Sequence, residues 1–183
     1  MKTLRINLDK SLKKQIQSVA KIAASSNDVR YYLGFVQIER TEKGLVFTAT
    51  NGNIMADVVA NKFEATNFEI GEKIHVHNSG LLKFESKTEL LIEAVDRKAT
   101  INNSSIVEIL DSNFFSFPAV ERVRIKEKPS TKICLNPALL KMLADCGDSI
   151  AVEVYFDLEN PTKPYLVKGK NSFFEGVLMP ANY

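Results

Sequence analysis

The sequence lacks the short patterns on which many enzymes and metal proteins depend. No GxSxG, Walker A, HExxH or GxGxxG pattern occurs in its 183 residues. The only two histidines, His75 and His77, project from one face of a predicted strand, with no carboxylate or cysteine at ligand spacing. We therefore expect no catalytic residue, no cofactor and no metal, and we expect both histidines at the surface.

Long apolar runs are also missing. No run has membrane-spanning length, and Met1 leads directly into a mixed strand, which argues against a signal peptide or a membrane segment. Cys134 and Cys146 have no CxxC spacing and are expected to be buried, reduced thiols. Hydrophobic residues make up 45% of the chain and charged residues 25%, as in an ordinary globular protein. We expect a cytoplasmic protein with no membrane contact.

One pattern, a strand followed by a capped helix and three strands, opens the chain. Thr3–Leu8 alternates like a strand, and Asp9 is a suitable N-cap for a helix over Lys10–Ala24. The Asn51-Gly52 pair predicts a type I′ hairpin turn, because both residues tolerate a positive φ. The apolar face of the helix consists of Leu12, Ile16, Val19 and Ala23. The three strands predicted after it are Arg30–Arg40, Leu45–Thr50 and Asn53–Ala60.

The same pattern returns twice. The second copy starts with the strand Glu72–His77, the cap Asn78 and a helix over Ser79–Glu85. Its three strands are Leu90–Val95, Ala99–Asn102 and Ile106–Leu110. The third copy has a strand at Thr131–Leu135, the cap Asn136, a helix that begins at Pro137 and stops near Gly147, and strands at Ala151–Asp157, Tyr165–Lys168 and Phe173–Met179. The charged, proline-bearing end of Phe117–Ser130 reads as a linker.

The first helix carries a basic stripe. Its four polar members are spaced i, i+4, i+7 and i+11, so they fall on one narrow face opposite the apolar residues. No acidic residue occurs between Asp9 and Asp28. Such a stripe is either an ordinary solvated face or a surface that neutralises phosphates without reading bases. The members of the stripe are Lys10, Lys14, Gln17 and Lys21.

Four short motifs follow one another along the chain: VRYYL at Val29–Leu33, the ATxG turn at Ala49–Gly52, FPAVERV at Phe117–Val123 and a final LMP plus three residues. Together they resemble the beta subunit of bacterial DNA polymerase III, the sliding clamp. VRYYL and the ATxG turn look like the start of that family's middle domain. FPAVERV at Phe117–Val123 looks like the segment that closes this domain, and the chain ends in LMP plus three residues, as the family does. Here the family's ATDG reads ATNG, the basic residue usual after it is replaced by Asn53, and the usual terminal arginine is absent.

The resemblance implies an α+β DNA-clamp fold of three strand-helix-three-strand units, with antiparallel sheets and helices on one face. Residues 1–124 would form a complete two-unit domain, and residues 125–183 half a domain with the C-terminal tail. The family's first domain and the first half of its third domain are missing from this pattern. In the family, helices line the inside of a ring around DNA, so the basic stripe would face double-stranded DNA.

The resemblance also implies a hydrophobic groove that binds short linear peptides of replication and repair proteins. The alternative from the residues alone is that Leu33, Ile54, Val123 and Val177 are plain core residues. The positions that match the family's groove are Leu33, Thr50, Gly52, Asn53, Ile54, Met55, Pro118, Arg122, Val123, Val177, Leu178, Met179 and Pro180.

Three functions are compatible with these observations. The first is a shortened clamp homologue that acts as a processivity or interaction platform in DNA replication, tethering enzymes through the groove. The second is a decoy or regulator that captures clamp-binding peptides or the host clamp without encircling DNA. The third is a purely structural assembly protein. The resemblance also implies a homo-oligomer. Because the family's rings contain twelve units, a ring would need four chains of three units, whereas a dimer would form if the unpaired third unit joined its twin.

Overall fold

The structure is a computed structural model that describes residues 1–25, 28–111, 114–122, 136–147, 152–157, 159–160, 162–169 and 174–180. The first half of the chain contains β1 (Lys2–Asn7), α1 (Lys10–Ile22), β2 (Phe35–Thr41), β3 (Gly44–Thr50), β4 (Ile54–Ala60) and β5 (Phe63–Thr66). Next come β6 (Lys73–His77), α2 (Asn78–Leu82), β7 (Glu89–Val95), β8 (Lys98–Ile101) and β9 (Ser105–Glu108). The last unit has α3 (Pro137–Gly147), β10 (Val152–Tyr155), β11 (Tyr165–Gly169) and β12 (Glu175–Leu178).

The strands form two antiparallel sheets. One sheet has the order β5-β1-β7-β8-β9, and the other has the order β10-β11-β12-β4-β3-β2-β6. The first two units exchange their leading strands, since β1 lies beside β7 with Leu4 opposite Ile92, and β6 lies beside β2 with Ile74 opposite Ile38. The third unit joins the first because β12 pairs with β4. The seven-stranded sheet is therefore continuous from the first unit into the third.

The three helices lie side by side, with α1 in contact with both α2 and α3. The predicted N-cap of α1 is confirmed, because the Asp9 carboxylate accepts the Leu12 N–H at 2.7 Å. Ile16 and Val19 of the predicted apolar face are buried in the main core. The helix ends at Ile22, before the predicted end, because Ala23 has ψ 146° and the Ala24 N–H donates to the Leu33 carbonyl.

Several predicted boundaries are wrong for local reasons. The strand predicted over Arg30–Arg40 begins at Phe35, because Tyr31–Gly34 form a 3₁₀ turn. The cap of α2 is His77, whose Nδ1 accepts the Ser79 N–H, while Asn78 donates to the Ala20 carbonyl. Strand β5 was not predicted, because its sequence is short and its side chains are at most half-buried. The predicted strand at Thr131–Leu135 lies outside the described residues.

One main core spans all three units. It contains Leu4 of β1, Ile16 of α1, Phe47 of β3, Leu143 of α3 and Leu178 of β12, each at most 1% exposed. Gly176 lets α3 approach β12, since a Cβ there would lie 2.8 Å from Leu143 Cδ2. Cys146 is a buried free thiol whose pKa burial raises to about 12, whereas Cys134 lies outside the described residues. None of the described helices has the length and hydrophobicity needed to cross a membrane.

Candidate peptide-binding groove

The loop between β3 and β4 meets the end of β12 at one end of the seven-stranded sheet. Val177 of β12 lies opposite Met55 of β4, and the Met179 N–H donates to the Asn53 carbonyl oxygen at 2.9 Å. This pairing brings two segments together that are distant in the sequence. The groove predicted from the sequence requires the β3–β4 loop and the end of β12 to lie side by side.

The β3–β4 loop is closed by side chains. The Asn51 side-chain oxygen accepts the N–H groups of Asn53 and Ile54 at 3.0 and 3.1 Å, and Thr50 Oγ1 donates to the Ile54 carbonyl at 2.8 Å. Within this loop, Gly52 alone has a positive φ, at 88°. The predicted type I′ turn is therefore wrong, because the Asn51 side chain closes the loop where a second positive φ was expected.

A second wall comes from the segment that leads out of the second unit. Val120, in the 3₁₀ turn Val120–Arg122, is 3% exposed and packs with Met55 and Val177 in a small cluster separate from the main core. Phe117 is half-buried against the same cluster. Two chain segments and one strand end thus enclose an apolar slot.

The slot has a volume of about 200 Å³. Its floor is apolar, and Met179, which is 37% exposed, offers the most accessible of its large apolar side chains. The residues that line it are Thr50, Gly52, Asn53, Ile54, Met55, Pro118, Ala119, Val120, Val177 and Met179. We call this slot the groove. Eight of these ten residues are positions that the sequence pointed to.

Other predicted groove residues lie outside the lining. Leu178 alternates with Val177 along β12, so its side chain enters the main core on the opposite face of the sheet. Leu33 is buried, with its backbone carbonyl bonded to Ala24. Arg122 is exposed on the 3₁₀ turn and Pro180 is half-buried, and neither lines the slot. Val123 lies outside the described residues, as do the last three residues of the chain.

Arg30 places a guanidinium at the rim of the groove. Its Nη2 donates to the Asn51 carbonyl at 3.2 Å and to the Asp28 carboxylate at 2.8 Å. These bonds to Arg30 lower the pKa of Asp28 to about 2. The φ of 88° at Gly52 favours glycine, and a Cβ there would lie 2.6 Å from Arg30 Nη1, so the guanidinium would have to move. Arg30 was not among the residues predicted for the site.

His75 packs against Phe117 in the second wall of the groove. Its ring stacks on Phe117 with centroids 4.9 Å apart, and its Nε2 lies 3.2 Å from Gln37 Oε1. Burial, helped by the Lys73 ammonium, lowers the pKa of His75 to about 4, so the ring is neutral at pH 7. His75 and His77 were both expected at the surface, and both are half-buried; His77 also caps α2.

The basic stripe of α1 is partly as predicted. Lys10, Lys14 and Lys21 are exposed. Gln17 is half-buried, because its amide nitrogen approaches the Phe84 carbonyl beside α2 at 3.4 Å. The exposed part of the stripe thus consists of three lysines.

Among the residues that the structure describes, no group of three or more metal-binding side chains gathers.

The architecture and the groove together define a class of protein. Two antiparallel sheets are backed by a row of helices, and strand-helix-three-strand units exchange leading strands. This is the DNA-clamp fold that the sequence predicted. The strand order within each sheet follows from this arrangement of units. So does the place of the groove, at the junction where β4 of the first unit meets β12 of the third.

The particular clamps that the chain resembles are bacterial. It is similar to the Helicobacter pylori beta clamp bound to a DNA ligase peptide, with a TM-score of 0.78 and 11% identity over 99% of this chain and 65% of that one. It is also similar to the DNA polymerase sliding clamp of Pseudomonas aeruginosa, with a TM-score of 0.69 and 16% identity over 98% and 67% of the two chains. It is similar as well to the DNA polymerase III beta subunit of Thermotoga maritima, with a TM-score of 0.71 and 13% identity over 98% of this chain and 66% of that one.

The TM-scores, over nearly the whole of this chain, show the fold, and identities of 11–16% show no more than the fold. The chain has the sliding-clamp fold and spans about 65% of the length of the H. pylori clamp chain. No protein-family model matches the sequence, and no curated protein matches it either.

Ala119 and Val120 line the groove but were not predicted to do so. Both lie inside the FPAVERV segment, between Pro118 and Arg122, which the resemblance did point to. The available signal was the apolar Val120 between a proline and two charged residues, which is typical of a single buried anchor on a surface turn. Arg30 carried no such signal, because its position at the rim depends on the 3₁₀ turn that follows it.

Proposed function

We propose that this chain is a non-enzymatic clamp-type platform that binds a short apolar peptide of a replication or repair protein in the groove. The observation that carries this proposal is the apolar slot of about 200 Å³ where the β3–β4 loop, the Phe117–Val120 segment and the end of β12 converge. A preformed slot reduces the entropy lost when an extended peptide binds. The H. pylori clamp of the same fold was solved with a DNA ligase peptide, which supports this class of partner.

The chemistry of the slot favours a particular kind of peptide. Its apolar side chains include Met55, Val120 and Val177, and a methionine can adapt its shape to different apolar side chains. The rim offers the exposed Asn53 and the Arg30 guanidinium. A peptide with leucine or phenylalanine anchors and a flanking polar or acidic group fits this arrangement. The Arg30 guanidinium stands near the place where the family's usual basic residue is replaced by Asn53.

The platform would tether its partner near DNA. The three exposed lysines of α1 supply positive charge on the helix side of the molecule, where a clamp of this fold would contact phosphates. Contacts of this kind carry no base specificity and therefore permit sliding. The groove would then raise the concentration of the bound enzyme near DNA.

Fluorescence anisotropy with a labelled peptide of the QLxLF type tests the groove. We expect saturable binding at micromolar concentrations, and we expect Met179→Lys to weaken it at least about ten-fold, because a charge would enter the apolar slot. Ile106→Lys makes the same change at an exposed residue of β9 and should leave the affinity unchanged. No saturable binding below about 1 mM would reject the groove as a peptide site.

A further inference from the structure

Three aromatic side chains near the groove are exposed to solvent. Phe114 is 72% exposed, Phe115 is 42% exposed and Tyr31 is 40% exposed. Exposed clusters of large apolar side chains mark interaction sites on soluble proteins. We call these three side chains the aromatic patch.

The ring of Tyr31 is held in place by its neighbours. It packs edge-to-face against the fully buried Phe35, with ring centroids 5.2 Å apart, and its hydroxyl donates to the Glu108 carboxylate. It also meets the Phe115 ring, with centroids 5.4 Å apart. A ring that is already fixed loses little freedom when a ligand stacks on it.

The two phenylalanines are positioned by Asp111 and Arg97. The N–H groups of Phe114 and Phe115 both donate to the Asp111 carbonyl oxygen, at 3.1 and 3.0 Å. The Arg97 guanidinium lies 5.8 Å from the centroid of the Phe114 ring and pairs with the Asp111 carboxylate. The aromatic patch is therefore preformed, although its rings are open to solvent.

The aromatic patch borders the groove through two chain segments. Tyr31 directly follows Arg30, whose guanidinium stands at the rim of the groove. Phe115 lies two residues before Phe117, which packs against the apolar cluster of the groove. Two residues of extended chain span at most about 7 Å. A bound peptide that continues beyond the groove for about two to four residues therefore reaches the aromatic patch.

The size and charge of the aromatic patch define what it can bind. A fully buried aromatic side chain contributes about 150–250 Å², so three rings at these exposures offer on the order of 300 Å². Each partner in a stable protein–protein interface buries about 800 Å², so the patch alone is too small for a second copy of the chain. The guanidinium groups of Arg30 and Arg97 beside the patch are each paired with a carboxylate. The patch therefore suits an uncharged aromatic side chain on a short segment.

We propose that the aromatic patch binds an aromatic residue of the same peptide whose apolar anchors occupy the groove. The incoming ring stacks on Tyr31 and Phe115 in the offset or edge-to-face geometry that aromatic pairs prefer. This inference rests on the proposed function. It adds a determinant of specificity, because partners with an aromatic residue beside the groove-binding motif bind more tightly than partners with the motif alone.

Fluorescence anisotropy with three labelled peptides tests the proposal. One is the QLxLF-type core, and the other two carry a tryptophan about three residues before or after that core. The wild-type chain should bind one of the extended peptides at least about five-fold more tightly than the core. In Phe115→Ser this gain should disappear while the core peptide keeps its affinity. The matched control, Ile70→Ser, changes a residue that is 62% exposed in the loop between β5 and β6 and should keep the gain.

The outcomes separate the aromatic patch from the groove. Equal affinity of the wild-type chain for all three peptides would overturn the patch and leave the groove in place, whereas no saturable binding of any peptide would overturn both. A gain that survived in both Phe114→Ser and Phe115→Ser would also reject the patch.

Two further measurements check other occupants of the aromatic patch. A lower particle mass for Phe115→Ser than for the wild type in sedimentation velocity would assign the patch to contact between copies of the chain. An oligothymidylate that bound the wild type and not Phe115→Ser would assign it to single-stranded nucleic acid. Either result would overturn the proposal.

Discussion

His75 is the residue at which the environment most clearly changes the chemistry of a side chain. It stacks on Phe117 and faces Gln37, while Lys73 lies on the same strand. Burial lowers its pKa in the folded protein to about 4, below the ordinary value of 6.5. Between these two pH values the unfolded chain binds more protons than the folded chain. The stability contributed by neutral His75 is therefore complete above about pH 6.5 and lost as the pH falls towards 4.

We predict that the free energy of unfolding falls by up to about 3 kcal/mol through this residue between pH 6.5 and pH 4. His75→Gln should flatten the pH dependence in that range, because the substituted side chain does not titrate. Urea unfolding at several pH values measures the effect. The comparison variant is His77→Gln: burial lowers the pKa of His77 as well, but Glu108 opposes the shift, so its slope should change less. Equal slopes in His75→Gln and the wild type would contradict the prediction.

Helix α1 is the element for which a sequence pattern and a structural face can be compared directly. Lys10, Lys14 and Lys21 are exposed along it, whereas Lys13 is drawn towards α2, where its ammonium donates to the Glu85 carbonyl at 3.0 Å and lies over the Phe84 ring. The periodicity separated these lysines correctly. Gln17 belongs with Lys13, because it also reaches the end of α2.

We predict that the triple variant Lys10→Gln, Lys14→Gln, Lys21→Gln weakens binding to double-stranded DNA. The slope of log affinity against log salt should become shallower by about one for each phosphate that the helix no longer neutralises, up to about three. Filter binding or anisotropy over a salt series measures this slope.

The matched control for this prediction replaces three exposed lysines outside the helices, Lys43, Lys62 and Lys98, by glutamine. It removes the same charge, so an equal loss of affinity in both variants would mean that net charge, and not the helix face, attracts DNA. If the wild-type chain bound peptide but showed no measurable binding to double-stranded DNA, the chain would act as a peptide-binding regulator and not as a DNA-bound platform.

At the scale of the whole molecule, the three units share one sheet and one core. Strand β12 joins β4, and Leu143, Phe174 and Leu178 of the third unit belong to the same apolar cluster as residues of the first two. We therefore expect the described parts of all three units to unfold in one cooperative transition. The junction is tight at Gly176, where a Cβ would lie 2.8 Å from Leu143 and 3.1 Å from the Met55 carbonyl oxygen.

We predict that Gly176→Val destabilises the whole chain by about 1–3 kcal/mol, because the added methyl groups overpack the contact between α3 and β12. Calorimetry should show a single transition at a lower temperature. Gly71→Val serves as a control for glycine replacement, because a Cβ at Gly71 meets nothing within 4 Å, although its φ of 87° adds local strain. Two separate transitions, with only one of them shifted by Gly176→Val, would show that the third unit folds independently.

The repeated order of strands and helices was predictable from the sequence, whereas the turns and caps that connect these elements were not. Alternating apolar residues predicted β3, β4 and β7, and Asp9 fixed the start of α1, because periodicity and capping are local properties. The 3₁₀ turn at Tyr31–Gly34 and the cap of α2 by His77 were missed. Both depend on hydrogen bonds and packing that the surrounding residues alone do not specify. The domain boundary between residues 124 and 125 remains a prediction, since it falls outside the described residues.

The sequence by itself determined three strand-helix units, the lysine face of α1 and most of the residues around the groove. Only the tertiary structure decided that β12 lies against β4, that Val120 and not Leu178 enters the slot, and that Arg30 reaches its rim. The physical reason is that periodicity records which face of an element is apolar, whereas the partner of that face is chosen by strand pairing between distant segments.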